Sequence, residues 1–250
     1  MSASAATGSR AAGGVGLFGG TFDPVHRGHL HAAEEMRRAL ALDRLVFIPS
    51  ARPPHKSGAT GEPIAPARDR LAWLRLAVDG RPGFEVDAME IERRGPSFSV
   101  DTVRSFRERG GTRPPVFVIG SDAFALIGTW REPEALFELA DFAVMTRPPF
   151  PDATLVDWIP SPVRAAFTLS EDGQSARHRL AGTSIYRVEI PALDISSSSI
   201  RNRIARGEAV DELLPEGIGC AVLESRHYES HGPPDLSRPI QRGSRSGDLD

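Results

Sequence analysis

Short runs of β-branched and aromatic residues alternate along this chain with longer amphipathic segments, and this alternation restricts the fold more than any other feature. The short runs predict buried strands at 15–18, 45–49, 84–87, 116–120, 142–146 and 186–191. The amphipathic segments, several of which open on Asp, Ser or Pro, predict helices at 29–41, 66–78, 100–109, 134–140, 198–206 and 215–226. Because crossover helices cover both faces of a parallel sheet, the sequence predicts an α/β fold with a parallel sheet and helices on both faces.

The apolar pattern lies between two polar ends. Residues 1–14 are small and polar, and residues 229–250 are rich in Gly, Ser, Pro and Arg, so we expect both to be disordered tails. The remaining length suits one α/β domain, and no internal repeat or linker divides it. We therefore expect a single Rossmann-like domain over residues 15–228.

Charge, cysteine content and hydropathy exclude several classes of protein. Thirty basic against 33 acidic side chains give a net charge of −3, which argues against a polybasic nucleic-acid-binding protein. Cys220 is the only cysteine, so an intramolecular disulfide and a multi-cysteine metal site are excluded. No stretch approaches the roughly 18 apolar residues that span a bilayer, and no apolar signal segment opens the chain. We expect a cytoplasmic protein without nucleic-acid or membrane partners, and its assembly as a homo-oligomer stays open.

The unusual residues of the chain follow the predicted strands, where a parallel sheet collects its ligands. Residues 19–30 read Gly-Gly-Thr-Phe-Asp-Pro-Val-His-Arg-Gly-His-Leu directly after the first strand. The adjacent glycines and Gly28 let the backbone approach an anionic ligand closely. His26 and His29 are three residues apart, which puts both imidazoles near one face and at the positive end of the next helix. Because the positive end of a helix disfavours imidazolium, we expect both imidazoles to be neutral N–H donors, which are suited to phosphate.

This segment resembles the nucleotide-binding signature of bacterial nicotinate-nucleotide adenylyltransferases, members of a nucleotidyltransferase superfamily with a His-x-Gly-His element. Further segments recur in the order of that family: Ile-Pro-Ser-Ala-Arg-Pro-Pro-His-Lys at 48–56, Gly-Pro-Ser-Phe-Ser-Val-Asp-Thr at 95–102, Ile-Gly-Ser-Asp at 119–122 with Trp130, and Ile-Ser-Ser-Ser-Ser-Ile-Arg at 195–201. The resemblance implies adenylyl transfer from ATP to nicotinate mononucleotide in NAD biosynthesis. The phosphate of the pyridine mononucleotide would attack the α-phosphorus of ATP in line, and pyrophosphate would leave. Mg²⁺ would accompany ATP as the cofactor.

The resemblance also implies roles for individual residues. His26, His29 and Arg201 would act on the phosphates of ATP as catalytic residues, Arg201 through two-pronged contacts. The implied ATP-binding residues are Gly19, Gly20, Thr21, Phe22, Gly28, Gly120, Asp122, Ile195, Ser196, Ser197 and Ser198. The implied residues of the pyridine-nucleotide site are His55, Lys56, Ser97, Phe98, Ser99, Trp130, Arg131 and Arg147. No residue is expected to hold a metal by itself.

Several of these residues also fit plainer interpretations. The serine run at 196–199 fits a helix cap or a flexible linker, and Asp122 fits an N-cap. Trp130 fits an ordinary half-buried aromatic, and Arg147 fits a solvated edge residue. Asp23 before a proline fits a turn former. The family usually has Ser-Tyr-Thr at 97–99 where this chain has Ser-Phe-Ser, so the preference for a nicotinate over a nicotinamide ring stays open.

Other functional classes match the sequence less well. A dinucleotide-dependent oxidoreductase should carry Gly-x-Gly-x-x-Gly and an acidic end to its second strand, where this chain has Ile-Pro-Ser at 48–50. A metal hydrolase should carry a His-Glu-x-x-His motif or carboxylate partners for its histidines. A phosphopantetheine adenylyltransferase and a non-catalytic nucleotide sensor are the remaining alternatives. Residues 149–184 match no pattern that assigns them a role.

Overall fold

Buried apolar strands form the centre of the protein, whose computed structural model describes residues 13–51, 65–110, 113–146, 154–191 and 193–229. The strands in these residues are β1 (Val15–Gly20), β2 (Arg44–Pro49), β3 (Phe84–Val86), β4 (Val116–Gly120), β5 (Asp141–Thr146), β6 (Phe167–Leu169), β7 (Ser175–His178) and β8 (Ser184–Glu189). They form one sheet in the order β3-β2-β1-β4-β5-β8-β7-β6. All six strands that the sequence predicts are present, each within two residues of its predicted bounds.

Helices follow most of the strands. The α-helices of the described residues are α1 (Arg27–Ala39), α2 (Ala67–Val78), α3 (Met89–Glu92), α4 (Ser99–Glu108), α5 (Ser121–Ala125), α6 (Pro133–Leu139), α7 (Leu155–Trp158), α8 (Ser161–Arg164), α9 (Ser197–Ala205) and α10 (Gly219–Glu224). The prediction of a helix over 215–226 is too long, because Gly217 has a φ of +87° and the chain becomes helical only after it. Among all the residues that the structure describes, no helix is long and apolar enough to cross a membrane.

The helices cover both faces of the sheet. Side chains of α1, α2, α9 and α10 form one apolar core on the first face, and side chains of α4, α5 and α6 form a second core on the other face. Helix α1 shows the local reason, because its buried residues Leu30, Ala33 and Met36 recur every three residues and share one side of the helix. The predicted α/β architecture with helices on both faces is confirmed.

The order of the strands reverses between β1 and β4. Parallel pairing leads from β1 through β2 to β3 on one side, and from β4 through β5 to β8 on the other. At such a reversal the loops after the two central strands diverge and leave a crevice at the carboxyl edge of the sheet. The residues after β1 and after β4 therefore flank the crevice, and both groups contain predicted site residues.

The sheet is mostly parallel, as predicted, and an antiparallel hairpin that was not predicted extends it at one edge. Strands β6 and β7 form an antiparallel hairpin, and β7 pairs antiparallel to β8. With α7 and α8, this hairpin makes up most of the described part of residues 149–184. Its strands span only three and four residues, which is too short for a clear periodicity. The turn of the hairpin contains Asp172 and Gly173, and Gly173 has a φ of +67°. An Asp-Gly pair is typical of hairpin turns, and it is a local pattern that could have predicted this hairpin.

The two ends of the chain limit what the structure tests. Residues 1–12 and 230–250 lie outside the described residues, so the predicted tails and the domain bounds at 15 and 228 stay predictions.

The packing of the second core predicts unequal responses to two truncations. Phe142 is fully buried, and its ring centroid lies 5.0 Å from that of Phe137. Phe142→Ala should lower the free energy of unfolding by about 3–5 kcal/mol, because the lost contacts leave a cavity. Leu180 is 94% exposed, so Leu180→Ala should change it by less than about 0.5 kcal/mol. Urea denaturation measures both variants, and a Phe142→Ala protein as stable as wild type would contradict this core.

Candidate active site

The loop after β1 turns sharply because Phe22 is inserted into the first core. Phe22 has a φ of +50° and is 1% exposed, and its ring centroid lies 5.8 Å from that of Phe18 and 5.7 Å from that of Phe47. A Cβ atom at Gly20 would lie 2.9 Å from this ring, so only glycine fits there. The anchored aromatic ring leaves the backbone of residues 19–21 at the carboxyl edge of the sheet.

His26 and His29 stack on each other at the start of α1. Their ring centroids are 3.7 Å apart at an interplanar angle of 27°. The backbone N–H of His26 donates to Nδ1 of His29 at 3.2 Å, which requires an unprotonated Nδ1 and puts the proton of the neutral ring on Nε2. Positive charge on both stacked rings is unfavourable at this separation. The pair therefore suits N–H donation to an anion at the positive end of α1.

Gly28 allows the histidine pair and the 195–201 segment to approach each other. A Cβ atom at Gly28 would lie 3.0 Å from Nδ1 of His26 and 3.4 Å from the carbonyl oxygen of Ile195. A larger residue would displace His26 or separate the two segments. The glycine of the His-x-Gly-His element is thus explained by close packing.

The serine run forms the start of α9, and its hydroxyls are engaged within the protein. Ser196 is the N-cap residue, and its side chain accepts a hydrogen bond from the backbone N–H of Ser199 at 3.1 Å. The hydroxyl of Ser198 accepts a hydrogen bond from Nη2 of Arg201 at 3.2 Å. The helix-cap interpretation is confirmed and the flexible-linker interpretation is wrong. For a phosphate, this helix start supplies backbone N–H groups and the guanidinium of Arg201.

Helix α9 packs directly against the loop after β1. Ser197 Oγ donates to the carbonyl oxygen of Pro24 at 3.1 Å, and Arg201 Nη1 donates to the carbonyl oxygen of Asp23 at 2.9 Å. Arg201 is 8% exposed, so its guanidinium contacts the loop from the interior of the protein. The fold thereby joins two predicted ATP-binding segments, although Arg201 and Asp23 are 178 residues apart in the sequence.

Asp23, for which the sequence predicts a turn, lies buried beside Arg201 in the candidate site. Its carboxylate is buried and accepts hydrogen bonds at Oδ1 from the backbone N–H of Ala65 at 2.9 Å and from the hydroxyl of Tyr228 at 2.6 Å. Its Oδ2 lies 3.7 Å from Nη1 of Arg201. An Asp-Pro pair is an ordinary turn signal, and its partners here are distant in the sequence, so no local pattern reveals this role.

Arg70 is a second residue that sequence analysis missed. It is 1% exposed and donates to the backbone carbonyls of Thr21, Ser50 and Ala65, and so ties the ends of β1 and β2 to the start of α2. Burial lowers the pKa of Arg70 from its ordinary value, and the charge of Asp23 opposes this shift. Only its burial distinguishes Arg70 from the exposed arginines of the same helix.

Three residues predicted for the pyridine nucleotide lie close together on the second face. The guanidinium carbon of Arg131 lies 4.7 Å from the ring centroid of Phe98, which is a cation–π distance. The ring of Trp130 packs against the second core, with its centroid 6.3 Å from that of Phe117. Trp130 is only half-buried, so it fills the core and leaves part of its indole accessible. The plain interpretation of Trp130 and a ring-binding role are compatible.

Hydrogen bonds to Glu90 on α3 connect the 97–99 segment and the start of α4 to the rest of the protein. Ser97 Oγ donates to the carbonyl oxygen of Glu90 at 3.2 Å, and Phe98 is the N-cap residue of α4. The carboxylate of Glu90 accepts a hydrogen bond from the hydroxyl of Thr102 at 2.7 Å. Burial raises the pKa of Glu90, while the Thr102 bond and the charge of Arg93 act in the opposite direction. Contacts with α3 therefore determine the shape of this segment.

The end of β4 places Gly120 and Asp122 beside the crevice. Gly120 is the N-cap residue of α5, so the N-cap interpretation of Asp122 is wrong. Asp122 is exposed, and its Oδ1 lies 2.5 Å from the position of a Cβ atom on Gly120. The carboxylate thus folds back over Gly120, where it can accept a hydrogen bond from a ribose hydroxyl.

The remaining predicted residues His55, Lys56 and Arg147 lie outside the described residues. Their contributions to the pyridine-nucleotide site stay predictions. Within the described ranges, no group of three or more His, Cys, Asp or Glu side chains is arranged to hold a metal ion.

Comparison with known proteins identifies the family of this chain. A cytidylyltransferase-like family model matches residues 17–203. A protein from Citrifermentans bemidjiense named "probable nicotinate-nucleotide adenylyltransferase" is 39% identical over 214 residues, which cover 86% of this chain and 97% of that protein. A Geobacter sulfurreducens protein of the same name is 41% identical over 218 residues, which cover 87% and 99%.

The fold is similar to that of a Plasmodium falciparum nicotinic acid mononucleotide adenylyltransferase complexed with NaAD. The TM-score is 0.61 at 15% sequence identity, and the match covers 87% of this chain and 97% of that one. The chain therefore belongs to the cytidylyltransferase-like family and, within it, to the nicotinate-nucleotide adenylyltransferases.

Proposed function

We propose that this chain transfers the adenylyl group of ATP to nicotinate mononucleotide and releases pyrophosphate, a reaction of NAD biosynthesis. One observation carries the proposal: the stacked pair of His26 and His29 meets the start of α9 at the carboxyl edge of β1. Gly28 and Ile195 form this junction, and Arg201 is hydrogen-bonded to the loop that precedes the pair. The names of the relatives support the same reaction.

The reaction asks the protein for positioning and charge stabilisation. The phosphate oxygen of the mononucleotide forms a bond to the α-phosphorus of ATP as the bond to the β-phosphate oxygen breaks, and pyrophosphate takes the electron pair. His29 is suited to donate from Nε2 to an α-phosphate oxygen, where negative charge develops. The backbone N–H groups of α9 and the guanidinium of Arg201 are suited to the β- and γ-phosphates. No covalent enzyme intermediate is required.

The second substrate would bind on the other side of the crevice. The accessible part of Trp130 can stack on a pyridine ring, and Arg131 beside Phe98 offers a cation to the nicotinate carboxylate. A neutral carboxamide would gain less from this cation, which favours nicotinate over nicotinamide mononucleotide. Asp122 is suited to a ribose hydroxyl between the two subsites.

Mg²⁺ is proposed to enter as part of the MgATP substrate. Mg²⁺ typically keeps several waters and is held largely by substrate phosphates, so a dedicated protein cage is unnecessary. Its charge would neutralise the leaving pyrophosphate.

An acceptor screen tests the proposed function directly. ATP and Mg²⁺ are combined with nicotinate mononucleotide, nicotinamide mononucleotide or phosphopantetheine, and pyrophosphate release is followed. Nicotinate mononucleotide should give the fastest release, and excess chelator should abolish it. Fastest release with phosphopantetheine would assign the alternative transferase activity, and ATP binding without release from any acceptor would indicate a nucleotide sensor.

His29→Ala should lower kcat by at least about a hundredfold, with a smaller effect on the Kd for ATP. The reason is that the Nε2–H donor gains most of its value as charge develops in the transition state. His31→Ala is the matched control, because His31 lies on the same helix and contacts the carbonyl oxygen of Pro191. Steady-state kinetics measure both variants; turnover of His29→Ala close to wild type would refute the role of His29.

Arg201→Ala should weaken ATP binding by about tenfold or more and also slow transfer, because a fixed cation beside the phosphates is lost. Arg203→Ala serves as the control: Arg203 lies on the same helix, is exposed and faces Glu208 at 4.0 Å. Calorimetric titration with ATP measures the binding term separately from turnover. Unchanged affinity and rate in Arg201→Ala would make Arg201 a purely structural residue.

A further inference from the structure

We propose that Tyr228 is a positioning residue of the ATP site, because its hydroxyl orients the carboxylate of Asp23 and thereby keeps Arg201 available to phosphate. The inference rests on the proposed function of Arg201 as a phosphate ligand. Tyr228 lies 205 residues beyond Asp23 in the sequence and outside every segment that resembles the family signature.

The hydrogen bonds at Asp23 are unequally divided between its two carboxylate oxygens. Oδ1 accepts from the hydroxyl of Tyr228 at 2.6 Å and from the backbone N–H of Ala65 at 2.9 Å. The first distance is typical of a charge-assisted O–H···O⁻ bond, which is among the stronger hydrogen bonds in proteins. With Oδ1 held by two donors, the rotation of the carboxylate is restricted and Oδ2 is left on the side of Arg201.

The separation between Asp23 and Arg201 is close but not that of a tight ion pair. Oδ2 lies 3.7 Å from Nη1 of Arg201, while the same nitrogen donates to the backbone carbonyl of Asp23 at 2.9 Å. A carboxylate released from Tyr228 could rotate into a closer, two-pronged pair with Arg201. That pair would compete with a phosphate for the guanidinium. The tyrosine bond therefore favours the state in which Arg201 can bind ATP.

The hydroxyl of Tyr228 stays protonated and remains a donor. Tyr228 is 3% exposed, and both its burial and the charge of Asp23 raise its pKa above the ordinary value, against the smaller opposite effects of Arg201 and Arg70.

Other contacts hold the C-terminal segment independently of this hydroxyl. His227 Nε2 lies 2.8 Å from Oδ2 of Asp69 on α2. The ring of Trp73, on the same helix, has its centroid 6.1 Å from that of His227 and 6.2 Å from that of Tyr228. Removal of the hydroxyl alone should therefore leave the tyrosine ring packed against α2.

The test is Tyr228→Phe, with Tyr186→Phe on β8 as the matched control. Tyr228→Phe should raise the Kd for ATP in the presence of Mg²⁺ by about tenfold or more, the size expected for one hydrogen bond to a charged group. The KM for nicotinate mononucleotide should stay within about twofold of wild type, because that site lies across the crevice. An unchanged Kd for ATP, or equal changes for both substrates, would overturn the proposal.

A double-mutant cycle tests whether Tyr228 acts through Arg201. In an Arg201→Ala background, Tyr228→Phe should change the Kd for ATP by less than about twofold, because the group that it positions is absent. Independent, multiplicative effects would overturn the proposal. ATP binding needs no acceptor, so the Kd values can be measured even if no acceptor in the screen reacts. Failure of the proposed transferase reaction is thereby distinguished from failure of this inference.

A spectroscopic measurement keeps the inference falsifiable if Tyr228→Phe does not fold. The chain contains two tyrosines, so Tyr186→Phe leaves Tyr228 as the only one. Labelled with 3-fluorotyrosine, this protein should show one fluorine resonance that shifts when MgATP is added. The shift should disappear when Arg201→Ala is introduced. If the resonance does not shift with MgATP in the protein that retains Arg201, the coupling is contradicted. A shift that persists in Arg201→Ala would contradict it as well.

Discussion

The contact between the start of α9 and the loop after β1 is the interaction on which the candidate site depends. Arg201 donates to the carbonyl of Asp23, Ser197 donates to the carbonyl of Pro24, and Gly28 lets the backbone of Ile195 approach the histidine pair. The bond from Arg201 is buried, and an unsatisfied polar group at that position would cost more free energy than the bond itself contributes. The two segments proposed to bind phosphate are therefore oriented by hydrogen bonds that also stabilise the fold.

The strand order explains why two substrates would meet at this point. The histidine pair and Arg201 belong to helices packed on the first core, whereas Phe98, Trp130 and Arg131 belong to elements packed on the second. The reversal between β1 and β4 brings both faces to one crevice at the carboxyl edge. Each proposed subsite is supported by its own apolar core, so the sheet between the cores determines their relative position.

Buried charge beside the proposed phosphate subsite is energetically unfavourable in itself. Asp23, Arg70 and Arg201 are all nearly inaccessible, and desolvation of such groups can exceed their mutual attraction. Their hydrogen bonds go largely to backbone carbonyls and, at Asp23, to Ala65 and Tyr228, so the polar atoms are satisfied while the guanidinium of Arg201 stays near the loop. A network of this kind holds loops in one arrangement, which is what an adenylyl-transfer site requires of its phosphate ligands.

Local patterns in the sequence predict six of the eight described strands, six of the ten described α-helices, the α/β architecture and the local motifs, because periodicity, glycine positions and the His-x-Gly-His spacing act over a few residues. The packed structure was needed to establish that Ser196 caps α9, that Asp122 is not an N-cap residue, and that an antiparallel hairpin extends the sheet. Packing also brings Asp23, Arg70 and Tyr228 together in the protein interior. Their partners lie up to 205 residues away, and burial and hydrogen bonding over that separation depend on how the chain packs and leave no periodic trace in the sequence.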